Sequence, residues 1–236
     1  MRKWINFAGL MLAIGITSCN DDGLDAITTV DSNFETGLDG WSAEFADYST
    51  ETDTAILDFA SGQALLPTGL DTTQHAYAIQ SMNRSDDVFM FLKKRIKGLV
   101  PNGTYSVVFD LTLGTNYPEN SFGIGGSPGS SVYLKAGASG IEPGVKLVNK
   151  FYEFTLDKGQ QSEQGEDALV LGNVANERED AKYALVKRTN ADKPFTVKAN
   201  AQGEVWLFVG TDSGYEGLTL LYYDRIVATI KEVQVN

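Results

Sequence analysis

The stretch Tyr105-Ser106-Val107-Val108-Phe109-Asp110-Leu111 decides the fold class of this chain. Its alternate side chains form an apolar set and a more polar set: Tyr105, Val107, Phe109 and Leu111 against Ser106, Val108 and Asp110. Successive side chains of a β-strand point to opposite faces, so the pattern predicts a strand with one buried face. Such a strand needs a second apolar layer to pack against.

Similar short runs of β-branched and aromatic residues recur along the chain between Gly, Asn, Asp and Pro, while long runs with helical spacing are missing. They predict strands at 55–66, 77–82, 88–96, 104–113, 131–135, 151–156, 168–171, 183–187, 195–199, 204–209 and 218–231. The last strand is expected to bend or break midway. Two antiparallel sheets packed face to face meet the need for a second layer. We therefore predict an all-β protein, an antiparallel β-sandwich (jelly roll) forming a single domain over residues 29–236.

The N-terminus has the pattern of a secretory signal. Arg2 and Lys3 precede an uncharged, mostly apolar run from Trp4 to Ile16. The run ends at Ile16-Thr17-Ser18-Cys19, which resembles the lipobox of bacterial lipoproteins. We predict a signal peptide at 1–18, a lipid on Cys19 and a polar tether at 19–28.

Two alternatives compete with this interpretation: an uncleaved membrane anchor, and an ordinary signal peptide in which Cys19 is incidental. The uncharged stretch would reach only roughly 25 Å as a helix and has no basic residues after it, which disfavours a permanent anchor. Cys19 is also the only cysteine, so no disulfide can form within one chain.

The lipid would make a membrane the first partner and place the protein in the cell envelope. The outer membrane is the expected site, with its periplasmic or surface face left open. Asn20-Asp21-Asp22 resembles the surface-export signals of Bacteroidota lipoproteins, or is simply a solvated linker. The formal net charge of −12 makes nucleic acid a poor partner.

Three long loops rich in glycine or polar residues are candidate binding regions: 114–130, 157–167 and 210–217. Each could equally be an idle surface connection. In the third loop, Tyr215 is the best candidate for an exposed aromatic that stacks on a sugar. Asp212 and Glu216 are its candidate acceptors for sugar hydroxyls.

Three further stretches carry a family resemblance: Asn33-Phe34-Glu35-Thr36-Gly37-Leu38-Asp39-Gly40-Trp41, Pro101-Asn102-Gly103-Thr104-Tyr105 and Leu221-Tyr222-Tyr223-Asp224-Arg225-Ile226. Together they resemble galactose-binding-like jelly rolls, which include many carbohydrate-binding modules. The chain also resembles a group of Bacteroidota lipoproteins with this architecture. The resemblance implies neighbouring first and last strands and a carbohydrate ligand.

The resemblance also implies a structural calcium ion, with Glu35 and Asp224 at the matching acidic positions. The alternative is that Glu35 caps a turn and Asp224 pairs with a nearby cation. Trp41 is either a sugar-stacking platform or, as is more common in the resembling fold, a core residue. Trp206 lies in a run that is apolar on both faces, which favours the core.

Enzymatic chemistry has little support in the sequence. Gly125-Gly126-Ser127-Pro128-Gly129 fits the G-x-S-x-G pattern, but Pro128 lacks the N–H that an oxyanion hole needs there. The only histidine, His75, precedes that serine, and one histidine with one cysteine excludes His/Cys zinc sites. A pair of carboxylates for glycoside hydrolysis stays open. The candidates are Asp86, Asp87, Glu163, Glu166 and Asp167.

The sequence therefore predicts a lipid-anchored, non-enzymatic β-sandwich that binds carbohydrate. The first alternative is a structural or interaction subunit that docks envelope proteins. The second is a glycoside hydrolase-like enzyme.

Overall fold

The computed structural model describes residues 26–84 and 88–233. The predicted signal peptide, Cys19, Asp86 and Asp87 lie outside the described residues. Within them, no helix is both long and apolar enough to cross a membrane.

Fifteen strands and one 3₁₀ turn, Thr54–Leu57, make up the described chain. The strands are β1 Ile27–Ser32, β2 Ser42–Ala46, β3 Tyr48–Ser49, β4 Ala60–Leu65, β5 His75–Met82, β6 Phe89–Ile96, β7 Thr104–Thr115, β8 Val132–Ser139, β9 Val145–Val148, β10 Phe151–Phe154, β11 Ala168–Asn173, β12 Ala184–Thr189, β13 Phe195–Lys198, β14 Val205–Ser213 and β15 Leu218–Glu232.

The strands form three antiparallel sheets. The seven-stranded sheet has the order β12-β7-β15-β5-β4, with β1 beside β15 and β13 beside β7. The five-stranded sheet has the order β11-β8-β14-β6-β2, and the three-stranded sheet the order β3-β10-β9. The predicted antiparallel β-sandwich is confirmed. The first and last strands are also neighbours, since β1 pairs with β15 from Ile27 opposite Lys231 to Ser32 opposite Ile226.

The main core lies between the seven-stranded and five-stranded sheets. The apolar set of β7 is buried in it as predicted: Tyr105, Val107, Phe109 and Leu111. Burying one such side chain stabilises the fold by about 1.5–3 kcal/mol. Strands β6, β14 and β15 contribute alternate residues to the same core.

A smaller core lies on the opposite face of the five-stranded sheet, beneath β10 of the three-stranded sheet. It consists of Ala46, Phe89, Phe91, Phe154, Ala168 and Phe208. Gly137 permits this packing, because a Cβ at that position would lie 2.5 Å from the Phe208 ring and 1.9 Å from the Asp167 carbonyl oxygen. The three-stranded sheet therefore covers part of the outer face of the five-stranded sheet.

Strand β15 defines the long axis of the sandwich. At its C-terminal end, Glu232 N donates to the Ala26 carbonyl, so the described chain begins there, and we call this the near end of the sandwich. We call the opposite end the far end; Leu218 lies there, beside the loop that follows Ser213. Fifteen strand residues separate the two ends by about 45 Å.

Several elements differ from the prediction. Strands β1, β2, β3 and β9 were not predicted, because they are short or lack regular alternation. The predicted strand 55–66 divides into the 3₁₀ turn and β4. Strand β15 does not break midway, and the predicted bend takes the form of a bulge: a register shift between Tyr223 and Arg225 accommodates Asp224, and a bulge bends its strand. Residues 27 and 28 of the predicted tether belong to β1.

Candidate functional site

An open groove of about 530 Å³ runs along β2, the edge strand of the five-stranded sheet. Side chains from β2, β3, β9, β10 and the segment after the 3₁₀ turn line it: Ala43, Glu44, Phe45, Tyr48, Phe59, Val145, Leu147 and Tyr152. We call it the aromatic groove. Its four rings are all half-buried, and Leu147 is 60% exposed.

The four rings form one continuous series. Phe45 and Phe59 are stacked, with centroids 4.2 Å apart and an interplanar angle of 10°. Tyr48 meets Phe59 edge-on, with ring centroids 5.3 Å apart. It also contacts Tyr152, whose ring is tilted by 37° at a centroid distance of 4.9 Å. These separations lie in the range in which aromatic pairs attract beyond their area burial. The rings hold one another in place while part of each remains accessible.

Asp47 positions the groove at the turn between β2 and β3. Its backbone has a φ of 63°, a left-handed conformation that Asp tolerates better than most residues. Its N–H donates to the Tyr152 carbonyl, and its carboxylate accepts the N–H of Phe154 at 2.9 Å. The turn thereby joins the edge strand to the three-stranded sheet and brings Phe45 and Tyr48 to the same surface.

Two carboxylates and a lysine border the groove. Lys93 Nζ lies 2.6 Å from Glu44 and 2.9 Å from Glu142, and it donates to the Pro143 carbonyl at 2.8 Å. Burial of Lys93 works against its charge, but hydrogen bonds to Glu142 and Glu44 outweigh burial and raise the pKa of the ammonium. Lys93 is buried, whereas both carboxylates reach solvent.

A buried charge network supports the groove from beneath. Asp212 Oδ2 lies 2.8 Å from Lys158 Nζ and 3.2 Å from Lys135 Nζ, and it accepts the N–H of Gln161. Lys158 also reaches Asp47 at 3.1 Å. Burial raises the pKa of Asp47 against the pull of Lys158, and burial lowers the pKa of Lys135 against the pull of Asp212. The network joins loop 157–167 to β14 and to the turn that shapes the groove.

The predicted role of Asp212 as an exposed acceptor is wrong. Asp212 belongs to β14 rather than to a loop, is only 2% exposed, and its carboxylate is engaged by two lysines. In the sequence, glycines flank the polar run Thr211-Asp212-Ser213, a pattern that is typical of a loop. The partners that make the run a strand are far away in sequence.

The sugar-stacking alternative for Trp41 is also wrong. Its side chain is 3% exposed and packs in the main core, and its Nε1 donates to Ser32 Oγ at 3.0 Å. The expectation for Trp206 is wrong as well. Trp206 was expected in the core, but its side chain is half-buried on the outer face of the five-stranded sheet.

Tyr215 and Glu216 lie at the far end, where the loop between β7 and β8 meets the turn between β14 and β15. A Cβ at Gly123 would lie 2.4 Å from the Tyr215 ring and one at Gly217 2.2 Å from it, so the ring sits closely between two glycines. Glu216 is exposed, and its N–H donates to the Ile124 carbonyl at 2.8 Å. The role of Tyr215 and Glu216 in ligand binding stays a prediction. They lie apart from the aromatic groove.

Exposed apolar residues project beside Tyr215. Phe122 is 97% exposed and Ile124 72% exposed. Both belong to the glycine-rich loop predicted as a binding region. We call this pair the far-end tip.

A polar cleft of about 510 Å³ opens at the edges of β11 and β12. Glu119, Glu177 and Arg178 line it together with Arg188, which donates to the carbonyls of Asn173 and Ala175. Burial lowers the pKa of Arg188, and the carboxylates of Glu177 and Glu119 oppose this effect. Cations and anions are mixed in this cleft.

The acidic residues of loop 157–167 organise the loop itself. Asp167 accepts the N–H of Asp157 at 2.8 Å, and Asp157 accepts those of Glu166 and Gly159, each at 2.9 Å. Hydrogen bonds from these backbone groups lower the pKa of Asp157. The Glu163 carbonyl accepts from Lys135 at 3.0 Å.

The charges of Glu35 and Asp224, the two predicted calcium ligands, interact. Burial and the charge of Glu35 raise the pKa of Asp224. Both Glu35 oxygens, however, accept the N–H of His75 at 3.2 Å, and Arg225 pairs with Asp31 rather than with Asp224. Calcium takes six to eight oxygen ligands. No group of three or more His, Cys, Asp or Glu positioned for a metal occurs in 26–84 and 88–233, and the calcium ion stays a prediction.

The residues of the aromatic groove were not predicted from the sequence. Phe45, Tyr48 and Phe59 follow Trp41 within a short polar stretch, and this local excess of aromatics was the available signal. Tyr152 and Leu147 come from about a hundred residues further along, so only the folded chain brings them together.

No known family model matches the sequence, and no curated protein matches it. Among solved structures, the chain is similar to the K3 cleaved adhesin domain of Lys-gingipain from Porphyromonas gingivalis, with 13% identity and a TM-score of 0.39 over 86% of this chain and 99% of that one. It is also similar to a putative sugar binding protein from Bacteroides thetaiotaomicron, with 11% identity and a TM-score of 0.37 over 80% and 88% of the two chains. A third is the CBM22-1 xylan-binding domain from Paenibacillus barcinonensis Xyn10C, with 10% identity and a TM-score of 0.35 over 88% and 95%. At these identities the likeness concerns the β-sandwich fold and assigns no ligand.

Proposed function

We propose that this protein is a lipid-anchored, non-catalytic module that binds a neutral glycan in the aromatic groove. The observation that carries the proposal is the series of four half-exposed rings along an open sheet edge. Ligand sites combine apolar walls with a few placed polar groups, and this groove has both.

The chemistry of the groove matches a sugar ring. The axial C–H groups of a pyranose pack against an aromatic face, and its hydroxyls need acceptors at the rim. Glu44 provides a carboxylate that is oriented by Lys93, at 2.6 Å, before any ligand arrives. A site whose groups are held in place loses less conformational entropy on binding.

The charges near the groove favour a neutral ligand. Glu44 and Glu142 share one lysine, which leaves an excess of negative charge. The whole chain carries a net charge of −12. An acidic glycan would therefore be repelled, most strongly at low ionic strength.

A glycan microarray followed by affinity gel electrophoresis tests the proposal with the full chain. We expect a neutral plant, host or microbial glycan to retard the protein. Tyr48→Ala or Phe59→Ala should weaken retention about tenfold, which corresponds to about 1.4 kcal/mol of binding free energy. Phe122→Ala is the matched control, since it removes an exposed ring outside the groove.

Two outcomes would count against this function. One is a lack of retention on all neutral glycans by a protein that is folded by circular dichroism. The other is an equal loss of retention in Phe122→Ala and in the groove variants.

The lipid anchor is a separate part of the proposal and rests on the sequence around Cys19. Cys19→Ser should abolish labelling with radioactive palmitate and release the protein from the membrane fraction. Unchanged labelling would show that Cys19 is not the acceptor.

A second candidate function, docking of an envelope protein, is favoured by the far-end tip. Phe122 and Ile124 are too exposed to stabilise the fold, and clustered exposed apolar residues often mark interaction sites. Residues 20–26 span at most about 25 Å, and Ala26 lies at the near end, so anchored protein would present the tip away from the bilayer. Phe122→Ser should then lose a stable partner in pull-downs from native envelopes, while glycan retention stays unchanged.

A further inference from the structure

The outer face of the five-stranded sheet is only partly covered. At its far half, Phe89 and Phe208 lie beneath the three-stranded sheet. Toward the near end the same face continues through Lys93 and Arg95 of β6 and Trp206 of β14. Trp206 is half-buried and Arg95 is exposed, so this half of the face reaches solvent.

Two cations lie against the Trp206 ring. Arg95, its cross-strand partner on β6, lies 5.5 Å from the ring centroid, and Lys93 lies 5.7 Å from it. Both distances fit cation–π contacts. The partner on β8 is Ser139, whose side chain is too short to cover the ring. Trp206 is therefore a positioned aromatic on an accessible face, a pattern typical of a stacking platform.

Lys93 connects this platform to the aromatic groove. Its ammonium group meets three acceptors: Glu44, Glu142 and the Pro143 carbonyl. Each carboxylate uses one oxygen for Lys93, and within the described chain no hydrogen bond reaches the second oxygen of either. Glu44 and Glu142 thus offer two oriented acceptors between the groove and Trp206.

The spacing of these groups follows from the sheet register. Glu44, which lines the groove, pairs with Phe91, and Trp206 pairs with Arg95, so the two side chains differ by four residues along β6 and project from the same face. That is about 14 Å along the strand, with β2 and β14 about 10 Å apart on either side of it. The groove at Glu44 and Trp206 are therefore about 17 Å apart by the same geometry, a span of several sugar units.

We infer that Trp206, with the carboxylates of Glu44 and Glu142, forms a second subsite that extends the aromatic groove. The ligand is a neutral oligosaccharide chain long enough to lie across both, rather than a single sugar. This inference rests on the proposed function, since it extends the same site. Trp206 and the groove would bind different units of one chain.

A length series tests the inference. The glycan retained by the full chain is cut into neutral oligosaccharides of increasing length, and their affinities are measured by isothermal titration calorimetry. Affinity should rise until the oligosaccharide spans both subsites and then level off. Trp206→Ala should weaken the long oligosaccharides about tenfold and leave the shortest unchanged, whereas Tyr48→Ala should weaken both.

Tryptophan fluorescence gives an independent readout. Trp41 is buried in the main core, so its emission should not respond to a surface ligand. A change in emission that appears only with long oligosaccharides should therefore come from Trp206. Loss of this change in Trp206→Phe would show that the ligand contacts Trp206. Binding of the shortest oligosaccharide by Trp206→Ala also shows that the variant is folded.

The outcomes separate this inference from the proposed function. Equal affinity for short and long oligosaccharides, or an equal loss for both in Trp206→Ala, overturns the second subsite and leaves glycan binding in place. Failure of the unaltered chain to bind any neutral glycan overturns both.

Discussion

The two faces of the five-stranded sheet are packed in different ways. The main core, toward the seven-stranded sheet, is a continuous apolar layer contributed by both sheets. The smaller core on the opposite face is a cluster of phenylalanines bordered by the buried charges of Asp47, Lys135, Lys158 and Asp212. The aromatic groove lies at the edge of this second layer.

This contrast shows which part of the fold depends on polar contacts. An apolar layer tolerates the loss of one contact because many others remain, whereas a buried charge network is costly when one member is removed. We therefore expect the three-stranded sheet to be the first element to open. Asp212→Ala and the pair Phe154→Ala and Phe109→Ala test this difference between the layers, and two pH-dependent variants test titratable groups outside the smaller core.

The largest effect is expected from Asp212→Ala. The change leaves Lys135 and Lys158 without their shared carboxylate, and breaking a buried ion pair costs about 4 kcal/mol. Urea unfolding should show this loss. Asp180→Ala is the matched control, because its pair with Arg178 is exposed and should contribute little to stability. Similar losses in both variants would contradict the role of the network.

The next prediction compares one phenylalanine from each layer. Phe154→Ala should destabilise the protein by about 3 kcal/mol, and Phe109→Ala in the main core by about 4 kcal/mol. Hydrogen exchange distinguishes the two. Phe154→Ala should accelerate exchange in β9 and β10 while β7 and β15 stay protected, and Phe109→Ala should accelerate exchange everywhere. Uniform acceleration in Phe154→Ala would mean that the layers unfold as one unit.

Alkaline pH should reveal a titratable group at the rim of the main core. Burial raises the pKa of Tyr117 to about 12, and its hydroxyl oxygen accepts the Leu220 N–H at 2.8 Å. The unfolded chain loses this proton near pH 10 while the folded chain keeps it, so stability should fall between pH 10 and 12. The side chain partly reaches solvent, which reduces the expected loss to about 2 kcal/mol.

Tyr117→Phe provides the comparison for the alkaline measurement. The difference in unfolding free energy between the two proteins should narrow as the pH rises from 10 to 12. Parallel pH profiles for the two proteins would exclude Tyr117 as the source.

The smallest effect is expected at the bulge in β15. Because burial and the charge of Glu35 raise the pKa of Asp224, the ionised form disfavours folding at neutral pH. Asp224→Asn should therefore stabilise the protein by up to about 1 kcal/mol at pH 7. The gain should disappear as the pH falls below 3.8, where the unfolded carboxyl is also protonated.

Adding calcium to the unaltered protein and to Asp224→Asn gives a second comparison of the two proteins. An ion held by Glu35 and Asp224 would raise the melting temperature of the unaltered protein and not that of Asp224→Asn. Equal melting temperatures with and without calcium in both proteins would show that this site does not bind the ion.

The local sequence predicted most strands, because alternation and turn residues act over a few neighbouring positions. The strands that it missed were held by partners instead: β2 by β6, and β3 by β10. Asp212 illustrates the limit at a single residue. Its neighbours in sequence suggest a loop, but two lysines from other parts of the chain engage it in a strand.

Residue type and spacing alone establish the all-β class, the alternation that fills the main core and the single Cys19. The burial of Trp41, the exposure of Trp206 and the shared groove of Phe45, Tyr48, Phe59 and Tyr152 follow from tertiary packing. Exposure and clustering depend on which sheet face is covered, and neighbouring residues in the sequence do not specify this. The packing of the two larger sheets buries Trp41, whereas the three-stranded sheet, assembled from distant segments, covers Phe89, Phe91 and Phe208 and leaves Trp206 at the surface.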